Sequence, residues 1–358
     1  MEEEKDTIVV GSRKSQLALI QTNHVIKCLQ EYYPNKKFKI VTMSTMGDKI
    51  LDKPLPKIGE KSLFTKELEI ALANKDVDLV VHSLKDLPTT LPDGMCIGAV
   101  LKREDPRDSV VLHPNMQGKT LETLPEGSVI GTSSLRRTAQ LKRKYPHLRV
   151  SDIRGNLNTR LKKLDTDDKY QAIVLASAGL IRMDWEKRIE QTLEADDMLY
   201  AVGQGALAVE CGERDLPILQ LLERLHHGPT ALKVLAERSF LRTLGGGCSA
   251  PVAVHSVLRG NELTLTGAVW SLDGSQTLEE TQSCKLKYCS EDDDDGLRPR
   301  KCPYRTPTLY CGMSPSNLTY TDLDISEKLG SDLANKLIKL GALFIMNEAK
   351  KKNESVAL

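Results

Sequence analysis

Aromatic residues make up only 4% of the 358-residue chain. Its cores must therefore be packed from aliphatic side chains, and a surface that stacks nucleic-acid bases on rings has little to be built from. No apolar run approaches the 18 residues that a membrane span requires. The opening MEEEKDTIVVGSR carries neither the basic nor the apolar region of a secretory signal. Both absences predict a cytoplasmic protein with no membrane partner. There are eight cysteines but no CxxC pair, and no Cys/His cluster has zinc spacing. A disulfide framework and a metal site are thus not expected. Net charge is lacking too: the formal total is +1, so any anionic partner must be met locally.

What is present is alternation. TIVVGSR, FKIVTMST, LVVHS, SVIGTS, LRVSDI and AIVLASAG read as short strands. Helical patterns lie between them, among them Ser15 to Tyr32 and SLFTKELEIALANKD with a Ser62 cap. This predicts an α/β fold with largely parallel sheets. Turn chemistry at Leu101 to Ser109 and at His226 to Thr230 marks breaks. Beyond the second break come a helix from Ala231 to Leu244, two alternating strands of antiparallel type, and a last helix from Ser326 to Leu340 stopped by Gly341. The last third reads as a small α+β domain. Within it, about 285–324 is rich in proline and charge and reads as a surface loop, with Cys289, Cys302 and Cys311 exposed. The stretch from Lys53 to Phe64 is open to two readings, a lid or an ordinary loop.

Charge concentrates in one place. Between Ser133 and Lys163 ten basic residues face a single acid, Asp152. GTSSLRR follows a strand and opens a helix, with Ser133 or Ser134 as its cap and Arg136 and Arg137 in its first turn. Cations there work against the helix dipole, while the helix start itself attracts anions. DIRGN sets Arg154 just past a strand, where α/β proteins bind ligands, and Arg160 falls in the next helix. A small polycarboxylate or phosphate fits this placement better than nucleic acid, for which RRTAQLKRK would be the candidate stretch. VVGSRKS places Arg13 and Ser15, and VVHSLKDLP places Lys85 and Asp86, at equivalent strand ends. Asp86 has two readings, a turn aspartate paired with Lys85 or a carboxylate that stabilises a cation and moves a proton. Cys248, in GGGCSAP, lacks the apolar setting of Cys28, Cys96 and Cys211. With His82 or His255 it is also open to a hydrolase reading, against which stands the absence of a strand-to-helix elbow.

Six stretches taken in order, GSRKSQLALIQT, VHSLKDLPT, GTSSLRRTAQL, DIRGNLNTRL, AVGQGALAVE and GGCSAPVAVH, resemble the porphobilinogen deaminase (hydroxymethylbilane synthase) family over about Ile8 to Gly274. AVWSLDGS suggests its animal branch. The resemblance implies two α/β domains like periplasmic binding proteins flanking a cleft, plus a smaller C-terminal α+β domain. Domain 1 would be discontinuous, 1–103 and 203–226, with domain 2 at 104–202 and domain 3 at 227–358. The implied activity is a transferase that condenses four porphobilinogen molecules with loss of ammonia on a dipyrromethane primer and releases linear hydroxymethylbilane for haem biosynthesis. It implies a thioether from Cys248 to that dipyrromethane cofactor, and Asp86 as the catalytic carboxylate. Lys85, Ser133, Arg136, Arg137, Arg160, Asn156 and Gln204 would contact the cofactor, and Arg13, Ser15, Gln21 and Arg154 the substrate. The expected partners are porphobilinogen and the growing polypyrrole chain, with no nucleic acid and a monomeric state. The competing reading from another class is an organic-acid binding protein without catalysis.

Overall fold

The computed structural model describes residues 6–49, 64–246, 251–287 and 308–355. Cys248, Ser62, Cys289, Cys302 and all of the 53–64 stretch but Phe64 lie outside the described residues.

The aliphatic strand runs assemble into two five-stranded sheets. The first contains β1 (Thr7–Arg13), β2 (Lys37–Met43), β3 (Leu79–Ser83), β4 (Met95–Val100) and β10 (Leu207–Gly212), in the order β2-β1-β3-β10-β4. The second contains β5 (Asp108–Leu112), β6 (Val129–Gly131), β7 (Arg149–Ser151), β8 (Ala172–Ala176) and β9 (Gln191–Leu193), in the order β7-β6-β8-β5-β9. The expectation of largely parallel sheets is corrected here. In each sheet the first three strands pair in parallel, and one strand then runs against both its neighbours: β10 in the first, β5 in the second. Those two strands follow the segments where the chain passes from one sheet to the other. An apolar run buried on both faces carries no sign of its direction.

Helices cover both faces. On the first sheet, α1 (Gln16–Tyr32) lies on one face, with Val25, Ile26 and Leu29 in a core with Leu79, Val81 and Val209. After a one-turn helix α2 (Met46–Lys49), α3 (Lys66–Ala73) covers the other face through Leu68, Ala71 and Leu72. The α3 N-cap is Thr65 rather than Ser62, and its side chain makes no capping bond. On the second sheet, α4 (Leu135–Lys144) is capped by Ser134, whose Oγ accepts the Arg137 N–H. It is followed by α5 (Leu157–Thr166) and α6 (Ser177–Arg182).

The chain returns through α7 (Leu216–Leu222) to a third unit. There α8 (Gly228–Thr243) begins three residues before the expected Ala231 and packs on the antiparallel sheet β11 (Val252–Arg259), β12 (Glu262–Trp270) and β13 (Thr277–Lys285). The expected last helix starts earlier, as α9 (Tyr320–Lys339), and is not the last. Gly341, at φ +103, turns the chain into α10 (Ala342–Ser355). Gly330 lets α9 cross α8 closely, since a Cβ there would meet the Ala236 carbonyl at 2.1 Å. Cys311 is buried instead of exposed, and burial pushes its thiol up to about 12.

The two crossings between the sheets lie side by side. Leu101 N–H donates to Leu207 O, and Glu104 N–H to Gly205 O. Gly205, at φ +85, is required here, because a Cβ would sit 2.4 Å from the Glu104 carbonyl oxygen. Arg103 ties this junction to the third unit through two bonds to Glu237 on α8, at 2.6 and 3.1 Å.

Candidate active site

A cavity of about 150 Å³ opens between the carboxyl ends of the two sheets. From the first sheet it is lined by Arg13 at the end of β1, Ser15 and Gln21 on α1, and Ser83, Lys85 and Asp86 after β3. From the second it is lined by Arg137 on α4, Arg160 on α5 and Arg182 on α6. Among the described residues the charged lining is thus five cations and one carboxylate, Asp86. Such a wall selects a ligand with several negative charges, and guanidinium forks suit carboxylates.

Asp86 is held out by its neighbours. It ends a single helical turn, Leu84–Asp86, between two buried anchors, Leu84 and Leu87. Both anchors belong to the core that includes Leu232 and Leu235 of α8. Behind the turn, buried Arg238 of α8 donates to the carbonyls of Leu87 (3.3 Å) and Pro88 (2.7 Å). Among the described residues Asp86 makes no hydrogen bond of its own, so its oxygens face the cavity. Gln21 is fixed by Ser83, with Gln21 Nε2 donating to Ser83 Oγ at 3.0 Å. Arg13 lies over the Phe64 ring at 4.4 Å.

The opposite wall is organised by a residue that sequence reasoning missed. Asp108, fully buried at the start of β5, accepts from Arg136 Nη1 (2.7 Å), Arg137 Nη2 (2.7 Å) and Gln204 Nε2 (2.9 Å). Burial alone would raise its pKa, but the two guanidiniums outweigh that and hold the carboxyl well below its usual range. Arg137 also donates to Val174 O, and Arg136 to Leu199 O. Gln204 takes Lys85 on its other end, Nζ to Oε1 at 3.5 Å, and so spans from one wall to the other. Asp108 was hidden in REDPRDS, which reads as a linker. Its one signal is an acid opening the apolar run SVVL. Arg182 was missed as well. Its Nη2 donates to Gly205 O at the crossing (2.7 Å), and its signal is a lone cation in the apolar stretch AGLIR.

Seven expected site residues line the cavity: Arg13, Ser15, Gln21, Lys85, Asp86, Arg137 and Arg160. Five others do not. Arg136 and Gln204 are turned inward by Asp108. Ser133 donates to Ile153 O at 2.6 Å, Arg154 to Asp152 Oδ2 at 2.8 Å, and Asn156 is an exposed cap of α5. Arg154 and Asn156 belong to the 152–156 loop before α5, Ser133 after β6 ties down Ile153 of that loop, and Arg160 Nε donates to Gly155 O. Cys248 lies outside the described residues. His82 is bound to Glu210, and His255 packs edge-on to Tyr200.

The walls touch at the mouth. Asn158 Nδ2 donates to Gln16 Oε1 at 2.6 Å, and a Cβ at Gly179 would meet Leu17 at 3.9 Å. The cavity is smaller than the range of about 300–1,000 Å³ that small-molecule sites occupy.

These features have counterparts among known proteins. Residues 8–220 match the family described as porphobilinogen deaminase, dipyromethane cofactor binding domain, and residues 231–298 its C-terminal domain. The chain belongs to the porphobilinogen deaminase family. A porphobilinogen deaminase of Synechococcus elongatus is 56% identical over 276 residues, covering 77% of this chain and 86% of the relative. One from Nostoc sp. is 52% identical over 277 residues, 77% and 85% of the two chains. These relatives are cyanobacterial and lend no support to the animal-branch expectation. Among solved structures, the periplasmic aliphatic sulphonate binding protein of Escherichia coli overlays 67% of this chain and 70% of its own at a TM-score of 0.36 and 10% identity. No helix among the described residues is long and apolar enough to cross a membrane.

Lys85 makes the site sensitive to pH. Burial lowers its pKa to about 8, against the opposing pull of Asp86. The ammonium is therefore lost as pH rises through about 8, and the wall loses one positive charge. Bound carboxylates favour the charged form, so their binding should take up part of a proton near pH 8 and weaken toward pH 9. Calorimetry of an acetate- and propionate-bearing pyrrole in two buffers of different ionisation heat reads the uptake. Lys85→Met should abolish it.

Proposed function

We propose that the chain condenses four porphobilinogen molecules stepwise, with loss of ammonia, on a resident dipyrromethane cofactor and releases linear hydroxymethylbilane. The observation that carries this is the cleft wall itself, where the described residues set five cations around one carboxylate, in a chain of this family. The same wall tests the cofactor, whose pyrroles carry acetate and propionate groups, and its residues fit such a group. When bound, the cofactor supplies the pyrrole carbon to which the first substrate is joined.

Arg137, Arg160 and Arg182 bind side-chain carboxylates from one wall, and Arg13 and Lys85 from the other. Arg160 and Arg182 are brought down to about 10 by burial and stay charged at any working pH. Asp86 faces the pyrrole N–H, stabilises the positive charge that develops as ammonia departs, and takes the proton that the new carbon–carbon bond releases. Arg136 and Gln204 act from behind through Asp108. Ser133, Arg154 and Asn156 shape the loop before α5, which carries Arg160, while Ser15 and Gln21 shape the wall behind Arg13. Cys248 is the anchor. In domain terms we divide the chain at the crossings, 1–103 with 203–226, 104–202 and 227–358. We take the enzyme as a cytoplasmic monomer that acts on small acidic substrates.

The test is the intact mass of the denatured protein beside Cys248→Ser. An excess of two condensed pyrrole units, absent from the variant, is expected. A bare-chain mass that persists after incubation with porphobilinogen overturns the reading.

A further inference from the structure

Behind the cleft wall lies a polar cluster that the chemistry above does not use. His82 on β3 and Glu210 on β10 meet under α3, with Nε2 and Oε2 2.9 Å apart and side-chain exposures of 3% and 0%. Glu69 of α3 is buried beside them. The rest of this layer is apolar, built from Leu68, Leu72, Val77, Val80 and Met95. Holding one histidine needs one acid, and here there are two. Moreover, Glu210 Oε1 is buried with no hydrogen-bond partner among the described residues. A bare carboxylate oxygen in that position is costly unless it shares or carries a proton. Burial pushes the Glu69 carboxyl above its usual range, and Glu210 adds to the shift.

The cluster opens toward the cleft. A chamber of about 20 Å³ is lined by Arg13, Gln21, His82, Ser83 and Asp86, with Phe64 on its outer side. That volume admits one water, and the lining offers the polar partners that a buried water needs. Asp86 lines both this chamber and the main cavity.

We propose that His82, backed by Glu210, exchanges protons with Asp86 through this chamber and is a positioning residue that resets Asp86 between condensations. The proposal rests on the reading of the chain as a porphobilinogen-condensing enzyme. In each cycle the substrate C–N bond breaks and ammonia leaves with the bonding pair. The freed methylene carbon takes an electron pair from a pyrrole α-carbon, and that carbon loses its proton. The proton passes from Asp86 to His82 and on to ammonia or solvent. One ammonium is released per bond formed, with no change of oxidation state.

The groups around His82 are Glu210 from β10, Glu69 from α3, Arg13 from β1, Asp86 from the turn after β3, and, behind Glu210, Arg238 from α8, whose charge senses Glu210. Glu210 and Asp86 each place negative charge toward His82, so removing either takes away an interaction that favours the protonated imidazole. His82 must be neutral to accept a proton, so turnover should rise with pH through its titration.

Two readouts test this. Imidazole NMR on labelled protein without substrate, with His82 assigned by loss of its signal in His82→Gln, should show a midpoint that falls in Glu210→Gln and again in Asp86→Asn. An unmoved midpoint in Asp86→Asn means the two groups are not connected and overturns the proposal. Turnover of His82→Gln should fall by about 10²-fold or more with the acid limb of its pH profile lost and KM little changed. Glu210→Gln should shift that limb to lower pH. Loss of turnover with the limb in place in both variants marks a merely structural pair and overturns the proposal. If His82→Gln fails to fold, Glu210→Gln carries the test alone. Wild-type protein that makes no product, by contrast, sinks the proposed function and leaves the NMR coupling to be judged by itself.

Discussion

Asp86→Asn should lower turnover of porphobilinogen by about 10²–10⁴-fold and leave the fold intact. The fold is spared because the turn is held by Leu84, Leu87 and Arg238, not by the carboxylate. Turnover is lost because an amide can neither offset the positive charge that develops nor accept a proton. A second effect follows from the same change. Asp86 is the main influence keeping the Lys85 ammonium charged against burial, so the variant should lower the Lys85 pKa below about 8. Ligand carboxylates should therefore bind more weakly at pH 8 in Asp86→Asn than the loss of a repelling carboxylate alone implies. Single-turnover kinetics and unfolding curves together check the prediction. Near-normal product formation would remove Asp86 from the chemistry.

Asp108→Ala should be the most destabilising single change in the second sheet, at roughly 3–5 kcal/mol, because it leaves two buried guanidiniums facing each other without their shared acid. The comparison pair is Arg107 with Glu194, whose side chains are 37% and 65% exposed. Breaking that one should cost less than about 1 kcal/mol. Denaturant midpoints of the two variants measure the contrast. The pH dependence has a definite sign. The folded-state pKa of Asp108 is depressed, so its stabilisation is complete above the unfolded carboxylate range and is lost as pH falls toward the depressed value. The wild-type acid limb of stability should flatten in Asp108→Ala. Equal costs for the two pairs would mean that the buried network does not organise this wall.

The strand-end cations were legible because they break a local rule. Arg136 and Arg137 sit where a helix disfavours positive charge, and a strand–turn–helix pattern already names a ligand-binding position. That reasoning finds the position but not the direction of a guanidinium. Arg137 reaches the cavity, while its neighbour Arg136 turns inward to Leu199 O, and both are held by Asp108, 28 and 29 residues earlier in the chain. A partner that distant leaves no trace in local spacing. Strand direction was hidden for a related reason. DSVVL and LAVECG are buried on both faces, and nothing in them says which way they enter a sheet. The polar layer beneath α3 was hidden too, because its members come from α3, β3 and β10.

The return of the chain to its first sheet has a consequence for biosynthesis. Among the described residues β4, the all-buried strand MCIGAV, pairs along its length only with β10 and otherwise makes one bridge from Ile97 to Met313. Both partners emerge more than a hundred residues later. At a translation rate of about 5–20 residues per second, a nascent chain carries that strand for roughly 5–20 s with neither edge occupied. The second sheet, whose strands are contiguous, can close during that wait. The sheet that begins the protein is thus finished after the one that follows it, and the interval is when a newly made chain is most open to pairing with the wrong neighbour.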